Sequence, residues 1–474
     1  MFGTFNVYCK INNIMKYSNI CHELNENILK NFVSPVFYGT IGDLFLEKTQ
    51  KFLMEIQNGI ITNTYYNNSG GFSIRRLEKK EDYFKFFSST DLNLSKIIDF
   101  TKKLNISNNN YNSLPINGKT YINNHEENLH LKEYVSFLKI INEYIQIKDC
   151  VENVNIVISY SDTEREIFNY KNDFINNHKR LYALRINLTL KKDNKIENYY
   201  QSMSNENGWE DIKNNWKEFV DKLWKKCYTQ FFAITPPSGN FPIILGPGEP
   251  GVLIHEAVGH GLESDLVNTH NSCFTPKMFH KSIANSKVNV IDDGTINGFR
   301  GSIQVDDEGN KSKKNHLVKK GIFTQQMTSE YYKNKFNLES SSNGRRQAFN
   351  YSPIPRMTNT YLDNGNDSVN NMFKSIKYGI YAKDFSGGQV ETTSGKFVFK
   401  CREAYLIENG EITSPLKETM LLGSATNVMN NIEAVGNDLE FCGGSGNCGK
   451  SNQMVPVCVG CPHFKLSSIT VGGE

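Results

Sequence analysis

Two imidazoles, the first followed directly by a carboxylate, lie in the stretch Ile-His-Glu-Ala-Val-Gly-His-Gly-Leu-Glu-Ser-Asp at 254–265. His255, Glu256 and His260 are the residue types that hold a Zn2+ ion and activate a water beside it, so the stretch reads as a metal-dependent hydrolase centre. The familiar zinc-protease helix has its histidines four apart, whereas here they are five apart. On a regular α-helix five steps leave two side chains about 140° apart, too divergent for one ion. A single π-type turn stacks residues five apart, and Gly259 and Gly261 offer the backbone latitude to form it. The expectation is a π-bulge between Glu256 and Gly261. A catalytic zinc takes three protein ligands and keeps a position for water, so a third ligand has to come from elsewhere in the chain.

The elements that position this segment read as α+β. The expected organisation is an N-terminal α/β unit, 1–128, ending in a linker, then a middle α/β unit, 129–232. A β-rich C-terminal domain, 233–474, carries the histidine helix. In the first unit a helix is expected near 21–32, strands at 43–49, 51–57, 60–66 and 72–77, and a helix at 94–104. An Asn-Asn-Ser-Gly-Gly turn at 67–71 separates the last two strands. Asn, Ser, Gly and Pro dominate 106–128, which reads as a linker or surface loop. Leu131, Tyr134, Val135, Leu138, Ile141 and Ile145 recur at helical spacing and predict one amphipathic helix over 129–147. Strands follow at 154–160, 166–170, 181–190 and 196–202, and a helix over 209–228 places Trp216, Val220 and Trp224 in a core. The turn cluster at 245–251 swings a strand, 241–245, into the histidine helix. Further strands are expected at 288–291, 322–326, 380–385, 389–393, 396–406 and 455–459.

With 474 residues the chain can bury two or three cores, and 38% hydrophobic with 22% charged residues fits a folded rather than a disordered protein. A net charge of +3 gives no footprint for nucleic acid or for a membrane surface, and the lysine run 311–320 reads as a solvated face. No apolar run reaches the roughly 20 residues that cross a bilayer, and 1–16 lacks a signal-peptide core, so a cytoplasmic protein is expected. Ten scattered cysteines point to reduced thiols or ligands rather than a disulfide frame.

The histidine segment in its Pro-Gly-Val-Leu-Ile-His-Glu-Ala-Val-Gly-His-Gly-Leu-Glu setting closely resembles the TldD branch of the TldD/PmbA family of metalloproteases. The likeness continues through Asp292-Asp293-Gly294-Thr295, Asn343-Gly344-Arg345-Arg346, Pro355-Arg356-Met357-Thr358, Gly387-Gly388-Gln389-Val390 and Cys448-Gly449-Lys450. It is dense from about 245 to the end and faint before that. The resemblance implies a zinc-dependent peptidase of broad sequence tolerance acting on small or unfolded peptides. It also implies a PmbA/TldE-like partner subunit, with self-association as the other arrangement. The PmbA branch lacks the histidine motif, so His255, Glu256 and His260 put this chain on the catalytic side. The family's third zinc ligand is the cysteine of a Cys-Gly-Lys segment, here Cys448, which gives one Zn2+ per chain. A soft thiolate suits zinc.

Glu256 is the expected general base, taking a proton from the attacking water and passing it to the departing amine. Glu263, Asp265, Asp292 and Asp293 are the carboxylates near enough in sequence to orient a ligating histidine. Arg345, Arg346 and Arg356 stand out in an arginine-poor chain as substrate anchors or internal ion pairs. Gly388 lies in a strand that could take an extended peptide by edge addition, or could mark an ordinary bulge. Cys442, Cys458 and Cys461 depart from the family pattern, and with Cys448 they could instead make a structural four-cysteine zinc site. Two rival functions share these residues: a non-catalytic metal-binding scaffold subunit, and a zinc amidase acting on a non-peptide bond.

Overall fold

The computed structural model describes residues 31, 33–80, 82–104, 117–122, 131–206 and 208–472. Apart from residue 31, the helix expected near 21–32 lies outside the described residues.

The N-terminal part is one twisted sheet of seven strands. In chain order they are β1 (Gly42–Gln57), β2 (Ile60–Glu78), β3 (Tyr83–Ser89), β4 (Asn117–Ile122), β5 (Val151–Asn169), β6 (Asp173–Lys192) and β7 (Lys195–Asn205). They pair in the order β3-β2-β1-β5-β6-β4, with β7 also on β6. β1 and β5 run antiparallel from Asp43↔Asn169 to Gln57↔Asn155, so strands from before and after the Asn-rich stretch share one sheet.

Alternation explains the sheet's inner face. Val154, Ile156, Ile158 and Tyr160 of β5 point inward against Leu184, Ile186 and Leu188 of β6. The helices Leu131–Gln146 and Trp209–Thr229 cover that face with Leu138, Ile141, Ile145, Ile212, Trp216 and Val220. Both helices were legible from their period.

Two expectations are corrected here. The turn at 67–71 does not exist, because β2 pairs with β1 straight through it, from Asn67↔Lys51 to Gly71↔Glu47. A ladder that pairs each backbone N–H and C=O outweighs the turn preference of Asn and Gly. The stretch 106–128 likewise contains β4, which pairs parallel with β6 from Asn117↔Asp173 to Ile122↔His178. The rest of that stretch lies outside the described residues.

The C-terminal part is built on a closed five-stranded barrel. Gly239–Leu245 lies between Tyr378–Glu391 and Phe464–Gly472; Thr419–Ser424 follows, then Lys396–Glu408, which pairs back onto Tyr378–Glu391 and closes the ring. Beside it a six-stranded sheet includes Val290–Asp293, Asn359–Leu362 and Cys458–Cys461. Leu253, Ile254, Ala257, Val258 and Leu262 of the histidine helix are buried in one core with Ile243, Leu245, Ile380 and Phe399 of the barrel. Burying that stripe fixes the helix, and with it the direction of the side chains on its other face. The fold is α+β.

Candidate metal centre

The helix changes pitch where the histidine spacing requires it. Gly251–Ile254 is α-helical, His255–Gly259 is a π turn, and His260–Leu262 is a 3-10 turn. The His260 N–H donates to the His255 carbonyl, the five-residue bond that brings the two imidazoles onto one face. Their ring centroids are 5.3 Å apart. The two glycines serve another purpose than the one expected of them. Gly259 has ordinary helical angles, φ −53° and ψ −60°. A Cβ there would collide with the Met357 sulfur, and one at Gly261 would press on the Phe274 ring. They admit neighbouring side chains; they do not relax the backbone.

The third ligand arrives on the hairpin Asn447–Lys450/Gln453–Pro456, in which Cys448 pairs with Val455. Ser451 and Asn452, at φ 50° and 59°, make its two-residue turn. His255, His260 and Cys448 are all buried, and each offers a ligand atom within 4.8 Å of the others. The Cys448 Sγ lies 3.2 Å from His260 Nε2. Burial pushes this thiol up, but the charges and hydrogen bonds of His260 and His255 outweigh it and hold Cys448 well below the usual thiol range. A pair of imidazoles with a readily ionised thiolate is a zinc donor set. His255 Nδ1 is buried without a hydrogen-bond partner among the described residues, as suits a centre built to hold something more.

Among the four carboxylates near in sequence, the structure selects Glu263 to orient His260, its Oε2 lying 3.0 Å from Nδ1. Glu263 is wholly buried, and Lys450 Nζ donates to it at 2.9 Å, to Asp265 at 2.7 Å and to the Pro355 carbonyl at 3.1 Å. Burial alone would raise Glu263, yet Lys450, His260 and Arg356 together bring it down to about 2. Asp292 is spent on Asn343, Thr358 and Thr360, and Asp293 on Thr295. The sequence reading missed Lys450, although the signal was present: in a strand, residues two apart share a face, so Cys448 and Lys450 point the same way.

The three arginines are internal braces. Arg356 donates to the carbonyls of Cys448 and Gln453, fixing both strands of the ligand hairpin. Arg345 donates to the carbonyls of Met357 and Pro456. Arg346 pairs with Asp43 of β1 at 3.0 Å and lies over the Phe45 ring. All three are buried, so a guanidinium available to substrate is not what their scarcity signalled. Gly388 is in register with Phe399 on Lys396–Glu408, and any Cβ would enter that ring. The bulge expected as the alternative lies just before it, between Phe385 and Gly387.

Cys442, Cys458 and Cys461 form no four-thiol cluster among the described residues. Cys442 donates to Glu249, Cys458 to the Cys442 carbonyl and Cys461 to the Gly246 carbonyl. Cys401 is buried in the barrel, bonded to the Asp384 and Glu403 carbonyls.

A cleft of about 400 Å3 opens on the centre, lined among others by His255, Glu256, Phe385, Ser386, Gly387 and Val459. Glu256 is partly open to it, with Oε2 3.9 Å from His260 Nε2. The strand Tyr378–Glu391 pairs with Gly239–Leu245 only at 380–382, so the edge that runs on past the cleft, 385–387, has no strand on that side among the described residues. No helix among the described residues is long and apolar enough to cross a membrane.

Residues 238–473 match the family described as PmbA/TldA metallopeptidase C-terminal domain. A metalloprotease TldD homolog of Buchnera aphidicola is 49% identical over 236 residues, covering 50% of this chain and 49% of that protein. The match thus spans about half the length of that curated relative. A metalloprotease of Methanocaldococcus jannaschii is 32% identical over 409 residues, 84% of this chain and 87% of that protein. In fold the chain is similar to TldE from Thermococcus kodakarensis, with a TM-score of 0.69 at 16% identity over 94% of this chain and 99% of that one. A motif-bearing C-terminal half matched by the family, and a relative aligned along most of the chain, place this protein in the PmbA/TldD family of metallopeptidases.

Proposed function

We propose that this chain is a zinc-dependent peptidase that hydrolyses small or unfolded peptides with broad sequence tolerance, as a cytoplasmic subunit working beside a PmbA/TldE-like partner. The observation that carries the reading is the convergence of His255, His260 and Cys448 beside a cleft into which Glu256 opens. A zinc ion in this donor set would supply Lewis acidity toward water and toward the scissile carbonyl. Glu256 takes the proton from the attacking water and returns it to the departing amine. Glu263 fixes the His260 ring through Nδ1, and Lys450 holds Glu263 ionised in its buried position. The edge at 385–387, which no strand covers among the described residues and whose Ser386 carbonyl accepts from the Tyr200 hydroxyl at 3.3 Å, lets an extended peptide bond by its main chain, which recognises backbone whatever the side chains, and so accounts for sequence tolerance.

Purified chain, alone and with a PmbA-like partner, incubated with an unfolded peptide library, tests this reading. Cleavage that a chelator abolishes is expected. Glu256→Gln should reduce the rate about 100-fold or more while zinc stays bound. Unchanged cleavage by Glu256→Gln would favour a different mechanism, and none under any condition would favour the scaffold reading.

A further inference from the structure

A larger cavity of about 670 Å3 adjoins the metal cleft, and the two share Gln201, Glu249 and Cys442 as lining. Glu249 sits in the turn before the histidine helix, where its carbonyl accepts from the Val252 N–H at 3.0 Å, so its backbone is fixed at the first helical turn. One carboxylate oxygen, Oε2, accepts from the Cys442 thiol at 2.8 Å.

Apart from Lys225, which is exposed on the larger cavity's lining, the lysines and the arginine around the two cavities are already matched by other acids. Asp384 takes Lys226 at 2.7 Å and Arg402 at 3.1 Å, Glu403 takes Lys383 at 3.3 Å, and Glu218 takes Lys222 at 2.7 Å. Arg402 spends a further donor on the Tyr200 carbonyl. Glu249 has no ion pair among the described residues, although it lines the cleft that contains His255 and Glu256. Burial and the Asp384 carboxylate push it above the usual carboxylate range, against the Cys442 hydrogen bond and the more distant Arg402 and Lys226. A carboxylate held in a substrate cleft without a cation is stabilised when the substrate brings one.

We propose that Glu249 is a specificity-determining residue that binds an ammonium group of the peptide, from a free amino terminus or a lysine side chain, in the cleft beside the metal centre. The inference rests on the peptidase reading and refines it: main-chain pairing admits most sequences, and Glu249 ranks them by charge. Its contact is to a group that does not react, so it acts on binding more than on turnover.

The test uses four otherwise identical neutral peptides, with the amino end free or acetylated and with one lysine or a norleucine in its place. Two readouts are taken on the full chain with its partner: cleavage at limiting peptide, and binding by fluorescence anisotropy with the metal chelated. A preference of about tenfold for the cationic form is expected, expressed in KM with kcat little changed. Glu249→Gln, which keeps an acceptor for the Cys442 thiol, should abolish the preference, and Glu249→Asp should retain part of it. The acetylated and norleucine arms tell which ammonium is bound. Equal handling of all four peptides by the native chain, or a preference that survives Glu249→Gln, overturns the inference and leaves the peptidase reading intact. A Glu249-dependent binding preference without cleavage of any peptide would instead sink the peptidase reading and keep the ammonium site.

Discussion

Beneath the N-terminal sheet, Ile156, Ile158, Leu184 and Ile186 meet Leu138, Ile212, Trp216 and Val220 with little buried polarity between them. Around the metal centre, by contrast, Glu263, Arg345, Arg356 and Asp292 are buried: Glu263 accepts from the half-buried Lys450, the arginines donate to specific carbonyls, and Asp292 accepts from Asn343, Thr358 and Thr360. An apolar core asks for volume and period, which many sequences supply. A buried polar wall asks for particular groups at particular places, since each unpaired charge is costly. The family match covers 238–473, the half with the polar wall. What the sheet contributes to the cleft is its rim, Tyr200, Gln201 and Ser202 of β7.

The two parts are joined by buried charge, and breaking that junction is the strongest test of whether they are separate in energy as well as in composition. Arg346 and Arg75 share Asp43, and Arg75 also pairs with Glu308. Arg346→Met should cost about 3 kcal/mol in denaturant unfolding, because it leaves a buried carboxylate short of a partner. Zinc bound per folded chain should not change. Metal loss in step with stability would show that the centre depends on the sheet.

A smaller effect is expected inside the polar wall. Glu263→Gln should weaken zinc binding about 10- to 100-fold in a competition titration, by freeing the His260 ring and leaving Asp265 as the one carboxylate on Lys450. Equal affinity would make Glu263 a structural charge only.

The smallest effect is in pH. Glu330, on the helix Glu330–Phe336, receives Tyr170 at 2.6 Å and Lys171 at 2.9 Å from the turn between β5 and β6. Burial opposes its ionisation, but bonds from Tyr170, Lys333 and Lys171 hold it down to about 2. A carboxyl depressed on folding contributes its stability in full above its unfolded value, about 4.3, and loses it as pH falls through the folded value. The native chain should therefore lose thermal stability between about pH 4.5 and 2 more steeply than Glu330→Gln. Parallel pH profiles would remove this tie between the two parts.

The contrast also explains what the sequence disclosed. The five-residue histidine spacing dictated a π turn because ligand geometry allows little else. The helices at 131–146 and 209–229 followed from period. Cys448 came through resemblance, since nothing local to residue 448 announces a partner nearly two hundred residues away. Glu263 could not be told from Asp265, Asp292 and Asp293 until the His260 ring was placed beside it. The arginines stayed undecided between substrate anchors and internal pairs, because a guanidinium spent inside the fold and one waiting for substrate look identical in sequence. The long pairing of β1 with β2 erased a turn that composition predicted, which shows a non-local ladder overriding local preference.

The claim on which the rest depends is that one ion is held jointly by the π turn and by the hairpin thiol. Cobalt substitution followed in the near ultraviolet tests it directly, because a thiolate bound to cobalt gives a charge-transfer band. The native chain and Cys401→Ser should both show the band at one equivalent of cobalt, and Cys448→Ser should lose it along with tight binding. A band that survives in Cys448→Ser would mean that another thiol holds the metal and would contradict the centre described here.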